Sequence, residues 1–224
     1  MPSRYKRKVI LQTLQKLNKL PLPYDLRKPS RAEAEEAVRT LIRFIGDDPT
    51  REGLLSTPSR VLKAWEKDWG LGYDDTYRLT QTTSILGGQF ADGRQTLSQL
   101  IAVQGIKYNS HCEHHMSPFH GTVDIGYIPR KGGRILGLSK LVRVVDMFSK
   151  RLQVQERLTD QVADFINVHC KPLGVGVLIR GYHTCMTTRG VKQHEVVAVT
   201  SALRGEMLTK PEVRAEFLQL VRKK

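Results

Sequence analysis

Residues 110–120 read SHCEHHMSPFH and gather His111, Cys112, Glu113, His114, His115 and His120 into one short segment. The whole chain has 7 histidines and 3 cysteines in 224 residues, so this crowding of soft ligands and proton carriers is local. Cys112 and His115 have the C-x-x-H spacing that lets one turn offer a thiolate and an imidazole to a single ion, a donor pair that suits zinc. A third ligand must come from elsewhere, and Cys170 and Cys185 are the candidates. Cys185 lies in YHTCM, two residues after His183. If the strand there extends as far as Cys185, residues i and i+2 share a face, and a metal held by Cys185 would have His183 beside it. Cys170 precedes Lys171-Pro172 at a predicted helix end and reads as a small buried hydrophobe. Cys112, His115 and Cys185 together leave a fourth position open for water, which is a catalytic arrangement. The spacing leaves open which of His114 and His115 is the ligand. Two adjacent histidines allow one to bind and the other to carry a proton. His111, His120, His169 and His194 read as structural or surface residues. His111-Cys112-Glu113 matches the H-x-E of nucleobase deaminases, but their P-C-x-x-C is absent, and so is H-E-x-x-H.

Two further groups are suited to an anionic, base-bearing ligand. GLSK, residues 137–140, puts Ser139 at a helix N-terminus, where unpaired N–H groups attract an anion. Lys140 and Arg143 add charge there, and Arg189 adds a cation beyond the second ligand segment. The residue order is not that of a Walker A loop. QVQERLT, residues 153–159, carries Gln155 and Glu156 at the start of a helix. Glu156 is either an acid placed favourably at the positive helix end or a carboxylate that accepts paired N–H donors of a base.

The elements that must position these groups follow from periodicity. Ser30 opens a helix, and Glu33 completes a capping box. Ala34, Ala37, Val38, Leu41, Ile42 and Ile45 form its expected buried stripe. Thr57-Pro58 starts a second helix through Val61, Ala64 and Trp65. Trp65 and Trp69 read as core packing. Strands are expected over 99–109, 120–128, 174–183 and 194–203, with helices from Ser139 and over about 154–168, and a last helix from Pro211. Two strands, two helices and two strands predict an α+β domain: an antiparallel sheet with helices on one side. The expected divisions are a basic N-terminal arm over 1–29, a helical region over 30–95 and a catalytic domain over 96–224.

Composition narrows the class. Hydrophobic residues make up 40% of the chain, enough for a core. No apolar run approaches the ~20 residues a membrane span needs. Three cysteines make no disulfide framework, so a reducing, cytoplasmic setting is expected. Net charge is +14, and residues 1–28 hold eight basic residues against Asp25 alone, half of that total. A basic arm can hold nucleic acid or an anionic surface. This one lacks aromatic interleaving and reads as a solvated tail, with a transit peptide as a third reading.

CEHHMSPFHG, YIPRKGGRILGLSKLVRVVD, QVQERLTDQVA and HTCMTTRGV, in this order, resemble GTP cyclohydrolase I. The resemblance runs from about Glu33 to Leu218. It implies the tunnelling fold, GTP as substrate, Zn2+ as cofactor and a homo-oligomer, a decamer with active sites between subunits. Carried over, zinc falls on Cys112, His115 and Cys185, and His114 and His183 become the acid–base pair. Ser139, Lys140, Arg143 and Arg189 become triphosphate and ribose contacts. Arg60, in TPSR, becomes a phosphate contact from a neighbour, and Gln155 and Glu156 become the guanine readers. The implied reaction is hydrolysis at C8 of GTP, release of formate, rearrangement of the ribose and closure to 7,8-dihydroneopterin triphosphate. Asp124 departs from the family, where histidine is frequent. Arg180 stands where an acidic residue is usual, and VVAVTSA (196–202) replaces a stretch richer in Ser and Thr. Two rival readings are a zinc-stabilised nucleic-acid-binding protein, which would need a fourth zinc ligand, and a relative acting on another pterin or deazapurine precursor. The intact CEHH and HTC segments argue against the second.

Deleting residues 1–28 should leave turnover of GTP unchanged while lowering nucleic-acid affinity at low salt, measured by activity assay and filter binding. A truncated protein without turnover would make the arm part of the folded enzyme.

Overall fold

A computed structural model describes residues 28–87, 89–90, 99–131 and 135–222. The basic arm expected over 1–29 lies outside the described residues except for 28 and 29. The chain forms two units that divide between Leu62 and Lys63.

In the first unit, helix α1 (Arg31–Phe44) starts where the capping box predicts. Ser30 Oγ accepts from the Glu33 backbone N–H at 3.3 Å, and Glu33 Oε2 accepts from the Ser30 N–H at 2.8 Å. The expected buried stripe is a correction. Ile42 is buried and Ala34 and Val38 are half-buried, but Leu41 and Ile45 are 63% and 77% exposed, and Phe44 beside them is 85% exposed. An amphipathic stripe is covered only if a second surface meets it, and among the described residues none covers Leu41 and Ile45. Helix α2 (Thr57–Ala64) has Pro58 in its first turn, where a missing N–H costs nothing. It crosses the division and passes into a wider π-helical turn over Trp65–Trp69.

In the second unit, α3 (Asp75–Gly87) leads to a small antiparallel pair, β1 (Gln89–Phe90) with β4 (Ile135–Leu136). The main sheet has five strands in the order β5-β2-β3-β6-β7. These are β2 (Ile101–Cys112), β3 (Pro118–Ile128), β5 (Leu152–Gln153), β6 (Gly174–His183) and β7 (Ala198–Gly205). The four long strands are antiparallel, and β5 adds a short parallel edge. Helices α4 (Leu138–Ser149) and α5 (Gln155–Cys170) stand between the two strand pairs in the chain. They pack on one face through Leu141, Val144, Leu158, Val162 and Ile166, against Val123, Ile125, Val177 and Ile179. Cys170 is buried in this core, as expected.

The other face is not bare, which corrects the one-sided expectation. Short helix α7 (Glu206–Thr209) and α8 (Pro211–Leu220) cover one end of it. Met207, Phe217 and Val221 pack there on Ile128 and Leu178. A Cβ on Gly126 or Gly176 would come within 2.6 Å of Phe217 or Met207, so small residues let these side chains lie flat on the sheet. Strand β7 starts at Ala198, not at 194, because its first partner is Gly181, near the end of β6.

Asp124 and Arg180 meet on that second face. Arg180 Nη1 donates to Asp124 Oδ2, and Nη2 donates to the Val221 carbonyl at 3.0 Å. Asp124 Oδ1 accepts from Gly105 N–H at 2.8 Å. Gly105 has φ +70°, a conformation a side chain resists, at the bulge where the β2–β3 register shifts. One ion pair thus ties the bulge, two strands and the end of the C-terminal helix together.

Removing one partner of a buried ion pair leaves a bare charge. Arg180→Met should destabilise the protein by roughly 3–5 kcal/mol in chemical denaturation, and Asp124→Leu/Arg180→Met should recover most of that loss. A single variant as stable as the parent would show that the pair holds nothing.

Candidate metal centre and active site

Strand β2 runs into Cys112, so the first ligand segment is the hairpin loop joining β2 to β3. The loop is closed by Cys112 N–H donating to Ser117 O at 2.8 Å and Met116 N–H donating to Cys112 O at 2.8 Å. Met116 takes a positive φ of 53°, a strained setting for a side chain that a tight turn imposes. Strand β6 ends at His183, and Cys185 sits in the helical turn Thr184–Thr187 (α6). The strand ends at 183, as expected, so His183 and Cys185 do not share a strand face. Beyond His183 there is no ladder partner, because Phe119 opposite it is almost the first residue of β3. The turn is pinned to the loop: Thr184 Oγ1 donates to Pro118 O at 2.6 Å and pairs with Ser117 Oγ at 2.7 Å.

These two segments bring Cys112, His115 and Cys185 together, with one donor atom of each within 4.8 Å of the others. His114 Nδ1 and His115 Nδ1 lie 3.8 and 3.9 Å from Cys112 Sγ. Burial, then the Cys112 thiol beside it, push the Cys185 thiol pKa up, and Arg189 pulls it down. Two thiols and an imidazole crowded at that distance fit one soft divalent cation, and zinc is the first choice for this set.

His183 is stacked on Phe119, with ring centroids 4.5 Å apart and planes at 7°. Burial lowers its pKa, and the Glu156 carboxylate opposes that shift. Its Nε2 lies 2.9 Å from Gln155 Oε1. The amide nitrogen of Gln155 donates to Ala198 O at 2.9 Å, Thr200 Oγ1 at 3.1 Å and Ile179 O at 3.2 Å. Those acceptors fix the amide with its oxygen toward His183, so His183 Nε2 carries the proton and Nδ1 is the free lone pair. A Cβ on Gly181 would come within 2.2 Å of Gln155 Oε1, so only glycine lets the amide cross β6 here. Gln155, expected to read guanine, has its side chain committed to His183 and β7. A ligand contact from that side chain would need these bonds exchanged.

Glu156 is exposed in the first turn of α5. Beside it, Arg157 makes two bonds to Glu113, at 2.5 and 3.1 Å, and holds the Glu113 carboxyl below the usual range. This clamp between the metal loop and α5 was missed by sequence reasoning. Its partners are 44 residues apart, and only their places next to Cys112 and Glu156 hinted at it. Ser139 and Lys140 lie in the first turn of α4, behind Gly137, and Arg143 donates to Gln81 of α3 at 2.9 Å. Arg189 is exposed just beyond α6, and Arg60 is exposed on α2. His111 is buried between Trp65 and Trp69, at centroid distances of 4.9 and 4.7 Å. It takes no part in the cysteine–histidine group.

The chain is similar to known proteins over most of its length. A family profile described as GTP cyclohydrolase I matches residues 34–222. A "GTP cyclohydrolase 1" of Janthinobacterium sp. (strain Marseille) is 48% identical over 92% of this chain and 99% of its own. Proteins of the same name from Rickettsia bellii and Maricaulis maris are 46% and 45% identical, over 89% and 87% of this chain and 99% and 90% of theirs. Among solved structures, the apo form of an archaeosine synthase QueF-Like overlaps 50% of this chain and 97% of its own, at 21% identity and a TM-score of 0.39, too slight a likeness to carry an argument.

Cys112→Ser and Cys185→Ser should each abolish stoichiometric zinc binding, while Cys170→Ser should keep about one ion per chain, by elemental analysis after dialysis. Zinc lost from Cys170→Ser and kept in Cys185→Ser would reassign the third ligand.

Proposed function

The chain belongs to the GTP cyclohydrolase I family, and from that premise we propose that it hydrolyses GTP at C8 of guanine in a zinc-dependent reaction. Formate is released, the ribose rearranges, and the ring closes to 7,8-dihydroneopterin triphosphate. The observation that carries this reading is the convergence of Cys112, His115 and Cys185 next to His183, all within the matched region. Zinc held there would act as a Lewis acid and make water nucleophilic near neutral pH.

The other steps fall to the chain's own groups. His183, kept neutral by burial and held by Gln155, presents Nδ1 to the reacting ring and exchanges a proton there. His114 supplies the second proton-transfer group, its Nδ1 turned toward Cys112 and its Nε2 left for N7. Glu156 accepts guanine N1–H and the 2-amino group with its two oxygens. Ser139, Lys140, Arg143 and Arg189 hold the triphosphate and ribose, with Arg60 contributed by a neighbouring subunit. The exposed Leu41, Phe44 and Ile45 support an assembled enzyme, which we take to be the decamer of the tunnelling fold. We place it in the cytoplasm; no described helix is long and apolar enough to cross a membrane.

Incubating the pure protein with GTP tests this reading: formate and a pterin that fluoresces after oxidation should appear together. GTP left intact by the zinc-loaded protein would overturn it. His114→Ala and His183→Ala should retain zinc and lower kcat by roughly 10²–10⁴-fold. Metal lost from His114→Ala and kept in His115→Ala would exchange the roles of those neighbours.

Glu156→Gln should sharply lower kcat/KM for GTP with zinc still bound, because one guanine N–H loses its acceptor. The parent enzyme should reject ATP by roughly 10⁴–10⁵ and use ITP poorly. An unimpaired Glu156→Gln variant, with ITP used as well as GTP, would assign base reading to another residue.

A further inference from the structure

The face of the sheet away from α4 and α5 is only partly covered by α7 and α8. The uncovered part holds a cavity of about 560 Å³. Two cross-strand rows line it. Asn109, His120 and Tyr182 are direct partners across β2, β3 and β6, and so are Lys107, Thr122 and Arg180. Direct partners in an antiparallel sheet point to the same side, so the six side chains form one patch. Val197 and Val199 close its edge.

The patch is rich in donors. Lys107 and Asn109 are exposed and have no side-chain partner among the described residues. The Thr122 hydroxyl lines the cavity, is buried (6% exposed) and is also without a partner. His120 and Tyr182 stack at 6.0 Å and leave their polar edges free. Among the described residues the lining of this cavity holds no acid, and Asp124, two along β3 from Thr122, is paired with Arg180. Buried hydroxyls without partners are rare, and a site made of a cation, an imidazole and several neutral donors asks for an acceptor-rich anion. A second cavity of about 260 Å³ adjoins at His120 and Tyr182, and reaches Thr184 and His194.

We propose that this patch binds a small tetrahedral dianion, the phosphate of a metabolite, at a site separate from the substrate's. Lys107, His120 and Thr122 hold the oxygens, and Asn109 and Tyr182 flank them. The site lies back to back with the metal centre. Tyr182 and His183 are consecutive and face opposite sides of β6, and Thr184 anchors the metal loop. Binding here is independent of the cyclohydrolase reading, since it requires no turnover.

Selenate, a tetrahedral dianion with its own absorption edge, is a suitable probe. Calorimetry on the full-length, zinc-loaded protein should show a selenate site whose affinity falls with added chloride. Lys107→Ala/His120→Ala should weaken that site by about 10-fold or more, as expected for losing charge-assisted bonds, while Lys140→Ala should keep it. Both substituted residues of the double variant are exposed, so it should still turn over GTP without the anion, which shows that it folds. Anomalous scattering from a selenate-soaked crystal should place selenium between Lys107 and His120. Selenium found only at the start of α4, or parental affinity in the double variant, would overturn the proposal.

Discussion

The register of β3 against β6 is the constraint on which the rest depends. Phe119 faces His183, and each next pair follows down to Ile128 and Gly174. Side chains alternate along a strand, so a slip of one residue would turn His183 to the opposite face and put Tyr182 in its place. It would also carry the α6 turn, and Cys185 with it, away from the hairpin loop that holds Cys112 and His115. The register is locked from both faces. Phe119 stacks on His183 on one side, and the Asp124–Arg180 pair closes on the other.

Gln155 extends the same logic to chemistry. Its amide is oriented by two backbone carbonyls and a threonine, so it has one oxygen to give, and that oxygen meets His183. A histidine held this way has a defined tautomer before any ligand arrives. The first turn of α5 thus acts on the candidate site twice: Gln155 fixes the ring of His183 from within the fold, and Arg157 clasps Glu113 in the loop between β2 and β3. Glu156, between them, is left exposed toward solvent.

What could be read from the sequence was whatever is encoded within a few residues. The capping box at Ser30, the span of β6 and the C-x-x-H pair are local patterns, and each has its structural counterpart. The cluster of Cys112, His115 and Cys185 was legible because soft ligands are scarce in this chain. Partners distant in the chain were not legible: Gln155 with His183, Glu113 with Arg157 and Asp124 with Arg180 are 28, 44 and 56 residues apart. No local spacing encodes such pairs. That β6 stops short of Cys185 follows from the ladder, since Phe119, opposite His183, is almost the first residue of β3. The α1 stripe was misjudged. Its pattern says that it is covered, without saying by what.

X-ray absorption at the zinc edge of the purified protein tests the central claim most directly. Two sulfur ligands near ~2.3 Å and light N/O ligands near ~2.0–2.1 Å, with an imidazole signature from one histidine, would match Cys112, Cys185 and His115 with one open position. A closed shell of four protein ligands, or a site without sulfur, would contradict the account.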